Sequence, residues 1–591
     1  MRIKYLGVVL MLALALHAGK INIEAKEIYD VTQMGAVPGD DVPDTQAINK
    51  CIEKAVEDNA DVYIPSGEYI IDNTIKVSGD VRIEMDNDTV FNVTKNMKYV
   101  IKAEYSEGKH DFELIGGMID AMNYSSGLTA LYVKNTDKCT IDGTSFNVKN
   151  GRGILIKESD NATIKNVDII EGYENSINIQ KSKALVKDIT IKNISHKSTS
   201  GNGMYIRECD KVVVDNADIT NVAYNGILCN TARQLVIKNS KIKRSNNCGF
   251  TIVNTDNILI QNNIIDDHSS DGIWIENKKN TVCTIKNNKV YNSMSGLELS
   301  SGIVVFYGKK VDIIENIVEN VFNNAIYIKE SDDINVSKNE VGICAQTGIV
   351  MLNVKGSISS NKVLGVNKAA ISIHGMQGMV NKNSIKQSKS MGINIHECVD
   401  VFVEENDINK CGYAGIKVIK SENIGIYNNY INNMSNMAVY ATESEEVDIR
   451  NNDIWDTKEI PIYETKCTKG AILDNIVKLS EADYYVWHDK VKCGKNLFFY
   501  DTYEDFMIKR VIRRAKYSRV VWNPIPDVDG YKIYRTPYGK NQWRCIGEVC
   551  GELEDTYDDY SVGKGKKYQY RIRGYIDGNL KTLYTRYTNI K

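Results

Sequence analysis

Apolar positions follow a repeat of about 23 residues between Gly153 and Asn475. Each copy carries a small residue, then apolar-x-apolar, then a short turn. Further along comes apolar-x-x-Asn-x-apolar. The small residue marks fourteen copies, from Gly153, Ser176, Gly203, Gly226, Gly249 and Gly272 to Pro461. Successive steps keep nearly one length, except for the longer ones from Ser176 to Gly203 and from Gly272 to Gly302. The next residue is always apolar, and apolar residues recur two further on, from Ile156 to Ala441, until Glu464. Period two with Ile and Val predicts strands with one face inward. A copy this short cannot bury its apolar face alone, so the copies must stack into a solenoid. Asn166, Asn193, Asn216, Asn239 and Asn263, and nine further asparagines to Asn475, are expected at one point of successive coils. There they would serve tight turns and bond along the stack. At about 4.8 Å per coil, fourteen coils make a rod of roughly 65 Å.

The repeat is flanked by two other patterns. Residues 45–58 carry a helical stripe, Ile48, Cys51, Ile52, Ala55 and Val56, after the start signals Pro43 and Asp44. Val62–Tyr69 reads as strand and turn. An open solenoid end must be covered, and this helix is the expected cap. At the other end, 518–522, 530–535 and 568–573 are alternating strands around Trp522, which predicts a small β-sandwich. The expected organisation is therefore a leader over 1–25, a solenoid with its cap over 26–505 and a sandwich over 512–591.

Composition limits the partners. The 591 residues carry 73 basic and 76 acidic side chains, with net charge -3, which points away from nucleic acid. Met1 to about Ala25 reads as a secretory leader, with Arg2 and Lys4 before the apolar Leu6–Leu16. No later run is long enough for a membrane helix. A secreted or surface-held monomer is expected. Thirteen cysteines are scattered, with no C-x-x-C pair and no zinc spacing.

Three features carry a family resemblance. The opening from Gly35 to Tyr69, with Asp44-Thr-Gln-Ala-Ile and Ile64-Pro-Ser-Gly-Glu-Tyr, resembles the N-terminal cap of pectate-lyase-like proteins. The short, regular coils and their Asn ladder resemble that superfamily's right-handed parallel β-helix. The segment 512–591 looks like a fibronectin type III module, on Trp522, Tyr534 and the strand Tyr568–Arg573. The resemblance to pectate-lyase-like proteins implies action on polysaccharides as lyase, hydrolase or epimerase, or binding alone.

Candidate chemistry lies on outward columns. The first runs through Tyr205, Leu228, Thr251, Trp274, Val304 and Tyr327. The second runs through Arg207, Asn230, Val253, Glu276, Phe306 and Lys329. Rings beside charged groups suit a sugar, so Tyr205, Trp274, Glu276 and Tyr327 are the expected substrate-binding residues. The two long steps place extra residues around Ser182–Val186, around Lys278 and over Ser293–Ser301. These bracket the segment Asp266-Asp-His-Ser-Ser-Asp271. Asp271 matches a position that holds catalytic Asp in polygalacturonases, but neighbouring coils offer Asn202, Asn225, Cys248, Ser301 and Asn324, and that family's other motifs are absent. Glu276 lies about 16 Å along the strand, too far to pair with Asp271. Asp267 and Glu298 are the candidate partner carboxylates, His268 an acid or base, and Arg207 or Lys329 the cation or base of lyase chemistry. No cofactor is expected, since calcium wants converging carboxylates and Asn175, Asn202 and Asn225 are neutral. His374 and His396 stack on adjacent coils without an evident third ligand. Two readings stand: a polysaccharide lyase or glycoside hydrolase, or a non-catalytic adhesion or glycan-binding solenoid.

Overall fold

The computed structural model describes residues 26–591, apart from 123–126, 196–200, 294–299, 480–485, 490, 501–507, 525–527, 541, 564, 577–578, 581–587 and 590–591. The leader and Glu298 therefore lie outside the described residues.

Inward Ile and Val from every coil meet along one axis, and this drives the winding. Ile154, Ile177, Ile227, Phe250 and Ile273 are fully buried one above another. Each such side chain contributes about 1.5–3 kcal/mol as an upper bound. Strands from Ile28 to Tyr500 hydrogen-bond into one continuous parallel sheet with three faces. The front sheet has eighteen strands, from Ile75–Val77 to Val486–Trp487. That is four more than the repeat predicts. Ile75–Val77, Tyr99–Glu104 and Thr129–Lys134 precede Gly153, and Val486–Trp487 follows Pro461. The early coils escape detection because their lengths vary. Tyr99 pairs with Thr129 and Thr129 with Arg152, so the first of these two coils is the longer. Eighteen coils give a rod of roughly 80 Å. Glu464 is not the end of the stack. It is buried, and its carboxylate accepts the N–H groups of Cys467 and Asp489.

The small residue before each front strand has a packing cause. A Cβ on Gly226 would stand 2.6 Å from the carbonyl oxygen of Gly249 and 2.6 Å from Cγ2 of Ile242. The next coil and the third sheet of the solenoid, which holds Lys241–Ser245 and Ile264–His268, close on that backbone.

The asparagines form separate columns. A buried ladder runs from Asn263 through Asn288, Asn316, Asn339, Asn361 and Asn383 to Asn496, each side-chain amide bonding the next. Asn166, Asn216 and Asn239 stand one position earlier, exposed, at φ between 52° and 58°. Asn193 belongs to another exposed column and accepts from Asn221. Asn suits both roles, the left-handed corner and the buried amide ladder, so a letter-based alignment merges them.

The predicted cap is present. The helix Thr45–Glu57 buries Ile48, Cys51, Ile52 and Ala55. Asp44, just before it, accepts the N–H groups of Val37 and Ile70. Two antiparallel sheets follow the solenoid. One contains Ile508–Arg513, Ser518–Trp522 and Thr556–Asp559, and the other contains Gly530–Pro537, Arg544–Cys550 and Tyr568–Ile576. They share a core of Trp522, Tyr531 and Tyr570. All thirteen cysteines are free thiols, ten of them buried.

Candidate functional site

Chain length around the coil locates the irregular edge. From the third sheet to the front sheet the chain usually takes eight residues between inward positions, as from Phe146 to Ile154, Ile219 to Ile227 and Ile265 to Ile273. It takes twelve from Ile119 to Leu131, and thirteen from Ile191 to Met204 and from Val290 to Ile303. The first long step is therefore not at Ser182–Val186. Lys183–Ile194 continues the register of the coil below, with Ala162 against Ala184 and Gly172 against Ile194. The extra residues come after Ile194. The second long step divides as expected, between Glu276 and Val282 and between Ser293 and Ile303. The long turns lie on one edge of the front face, two of them flanking the front strands that begin at Met204, Ile227, Phe250 and Ile273.

Strand pairing brings the expected binding residues into line. Tyr205, Leu228, Thr251, Trp274, Val304 and Tyr327 are successive partners in one column. Arg207, Asn230, Val253, Glu276, Phe306 and Lys329 form the column beside it. Tyr205, Trp274, Glu276, Tyr327 and Lys329 are half-buried and Arg207 is exposed. Tyr327 meets Phe306 edge-on at 5.7 Å, and Arg207 pairs with Glu208 at 2.9 Å. The first column also continues past Tyr440, where the sequence reading stops. Tyr440, Tyr463 and Trp487 stack at 5.7 and 6.3 Å, with the Lys417 ammonium 5.9 Å from the Tyr440 ring. Tyr463 follows the apolar Ile462 as Tyr440 follows Val439, and that signal was available in the sequence. Trp487 belongs to the coil that the repeat count missed.

Asp271 flanks the same face. Its column is built to cap the next coil: Asn225 Oδ1 accepts from Cys248 N, Asn324 Oδ1 accepts from Thr347 N, and Asp271 Oδ1 accepts from Ser301 N at 2.7 Å. This column touches the outward one, since the Thr251 hydroxyl donates to Asn225 Oδ1 at 2.9 Å. Burial raises the Asp271 carboxyl to about 6, against the Ser301 hydrogen bonds that lower it.

Two expected partners stand elsewhere. His268 is fully buried under Gly272, with Nδ1 2.7 Å from the Ser270 carbonyl oxygen. Burial holds its imidazole below the ordinary value, hence neutral. It fills the inward place held by Ser245 and Ser293 in adjacent coils, which removes it from the surface chemistry. Asp267 has left-handed backbone, φ 63°, at the corner of the third sheet. The structure thus gathers the two front columns and Asp271, and leaves His268 and Asp267 outside that face.

Residues 182–341 and 369–483 match the family described as right handed beta helix region. The solenoid is a right-handed β-helix. Residues 28–251 of this β-helix protein also match the family described as rhamnogalacturonase A/epimerase, pectate lyase-like. The uncharacterized protein YclG of Bacillus subtilis is 23% identical over 408 residues, which span 64% of this chain and 62% of that protein. The A-module of the mannuronan C-5 epimerase AlgE6 of Azotobacter vinelandii is 12% identical, with 79% of this chain and 99% of that one covered at a TM-score of 0.25. PfbA, a surface adhesin of Streptococcus pneumoniae, is 14% identical, with 71% and 92% covered at a TM-score of 0.29. No described helix is long and apolar enough to cross a membrane.

Proposed function

We propose that this β-helix protein acts on a polysaccharide laid along its front face. Asp271 would serve as the acid or base, and Tyr205, Trp274 and Tyr327 as stacking rings. The observation that carries this reading is the Asp271 carboxyl, raised to about 6 by burial where adjacent coils place Asn225 and Cys248. A group so raised can hold a proton near neutral pH, as proton transfer to a leaving oxygen requires. Its hydrogen-bond partner Ser301 ends one of the turns that gain five residues. Arg207 and Lys329 supply the positive charge that a uronate carboxylate would meet. The pectate-lyase-like match over residues 28–251 agrees with this substrate class. Lyase chemistry fits these groups, whereas a hydrolase also needs a second carboxylate beside Asp271. The leader expected over residues 1–25 supports a secreted or surface-held protein, and the C-terminal sandwich, read as a fibronectin type III-like module, would space or attach the solenoid.

A second reading, glycan binding without cleavage, is favoured by one observation. Asp271 has only neutral neighbours in its column, Asn225, Cys248, Ser301 and Asn324, and His268 is buried. Incubation with pectins, alginates and neutral glycans separates the two. New reducing ends mark a hydrolase, and ultraviolet-absorbing unsaturated uronates mark a lyase. Either product should vanish in Asp271→Asn with the fold retained. Retention of a glycan with no product from any substrate would establish the binding reading, and full activity in Asp271→Asn would reject the assigned acid.

A further inference from the structure

The second outward column ends in a place where two imidazoles face each other. Ile371–His374 and Ile393–His396 are adjacent front strands, and His374 pairs in register with His396. Their Nδ1 atoms stand 2.8 Å apart. The next residue, Glu397, has left-handed backbone at φ 52°, and the coil below has Gly375 at the same turn, with no side chain to displace the glutamate. The Glu397 carboxylate spans both rings, with Oε2 3.5 Å from His374 Nε2 and Oε1 3.6 Å from His396 Nε2. One ligand atom from each of the three residues falls within 4.8 Å of the others. The third group that the sequence lacked is therefore a neighbour in sequence but comes from a turn, where strand periodicity does not predict side-chain direction.

Protonation makes the arrangement informative. A carboxylate beside both Nε2 atoms favours the tautomer that carries the proton there. In that tautomer both Nδ1 atoms present lone pairs to each other at 2.8 Å and a cation between them removes the repulsion, whereas a ring protonated at Nδ1 would donate a hydrogen bond to the other. We propose that His374 and His396 bind a borderline divalent transition-metal ion, of the zinc or copper class, through their Nδ1 atoms, with Glu397 orienting both rings from the Nε2 side. Metal–nitrogen bonds of about 2.0–2.1 Å set the two nitrogens about 3.3 Å apart in a tetrahedral site, so the rings need open by only about half an ångström. All three side chains are partly exposed, which leaves the remaining coordination positions to water. Imidazole donors suit zinc and copper and not calcium, so this site is distinct from calcium-assisted sugar chemistry.

The test uses the full chain after chelator treatment, titrated calorimetrically with zinc chloride and separately with copper(II). One equivalent should bind, and the copper complex should show a paramagnetic resonance pattern from two nitrogen donors. The double variant His374→Gln/His396→Gln should lose that equivalent while keeping the wild-type circular dichroism. Glu397→Gln should still bind, about 10–100-fold more weakly. Binding unchanged in the folded double variant, or no stoichiometric binding to the wild type, would overturn the proposal, the latter leaving a shared proton as the cation between the rings.

Discussion

Replacing Asn383 by Ala cuts the buried ladder in its middle. The Asn383 amide donates to the Ile358 carbonyl oxygen at 2.9 Å and to Asn406 Oδ1 at 3.0 Å. Its Oδ1 accepts from the backbone N–H and the side-chain amide of Asn361, both at 3.0 Å. Alanine leaves the Asn361 N–H buried with no acceptor, at a cost of about 1–3 kcal/mol, and removes three further bonds worth about 1 kcal/mol each. The expected loss is about 4–6 kcal/mol. Coils contact only their neighbours, so the damage should be local. Native-state hydrogen exchange is the assay. The opening free energy should fall by that amount at Asn361 and its neighbours and stay unchanged in the helix Thr45–Glu57. The exposed Lys386→Ala serves as control and should shift the same amides by less than about 0.5 kcal/mol. If Asn383→Ala behaves like Lys386→Ala, the ladder is not a structural element and the argument is wrong.

Asp271→Asn should raise the melting temperature at pH 7.5 and change it little at pH 3.5. Burial lifts this carboxyl from 3.8 to about 6 in the folded state, so its stabilising contribution is full below about pH 4 and lost as pH rises through 6. Asn removes the buried charge and can still accept from Ser301, as Asn225 does from Cys248. A variant more stable but inactive would mark Asp271 as kept for chemistry, whereas an equal loss of stability at both pH values would contradict the assigned shift. If Asp271 acts as a general acid, turnover should fall as pH rises through about 6, and a flat profile between pH 5 and 8 would oppose that role. A native thiol titration should label Cys493, Cys545 and Cys550 quickly and the ten buried cysteines only after unfolding; rapid labelling of more than three would mean a looser stack.

Much of the solenoid was legible because its inward positions obey one rule. Period two and a constant step place Ile154, Ile177 and Ile227 in one column, and pairing reproduces that register throughout. The coils before Gly153 were not legible, because variable lengths hide the period while the same inward packing persists. The ladder was misread for a different reason: Asn166 and Asn263 share a residue type but not an environment, one at a left-handed corner and one within the stack. The candidate site divides in the same way. Strand alternation correctly put Tyr205, Trp274 and Tyr327 on one outward line. It gave no guidance in the turns, where a single position separates the left-handed corner at Asp267 from the buried imidazole of His268. Glu397 was missed likewise, since its carboxylate reaches two histidines only because a left-handed turn directs it along the stack.

The front face as a polysaccharide platform is the claim on which the functional account rests. Its most direct test is affinity electrophoresis of the wild type and the triple variant Tyr205→Ala/Trp274→Ala/Tyr327→Ala in gels that contain pectins, alginates or neutral glycans. At about 0.5–1.5 kcal/mol for each stacking ring removed, apparent affinity for the retarding glycan should fall by about 10-fold or more. A variant that stays folded and is retarded as strongly as the wild type would contradict the account.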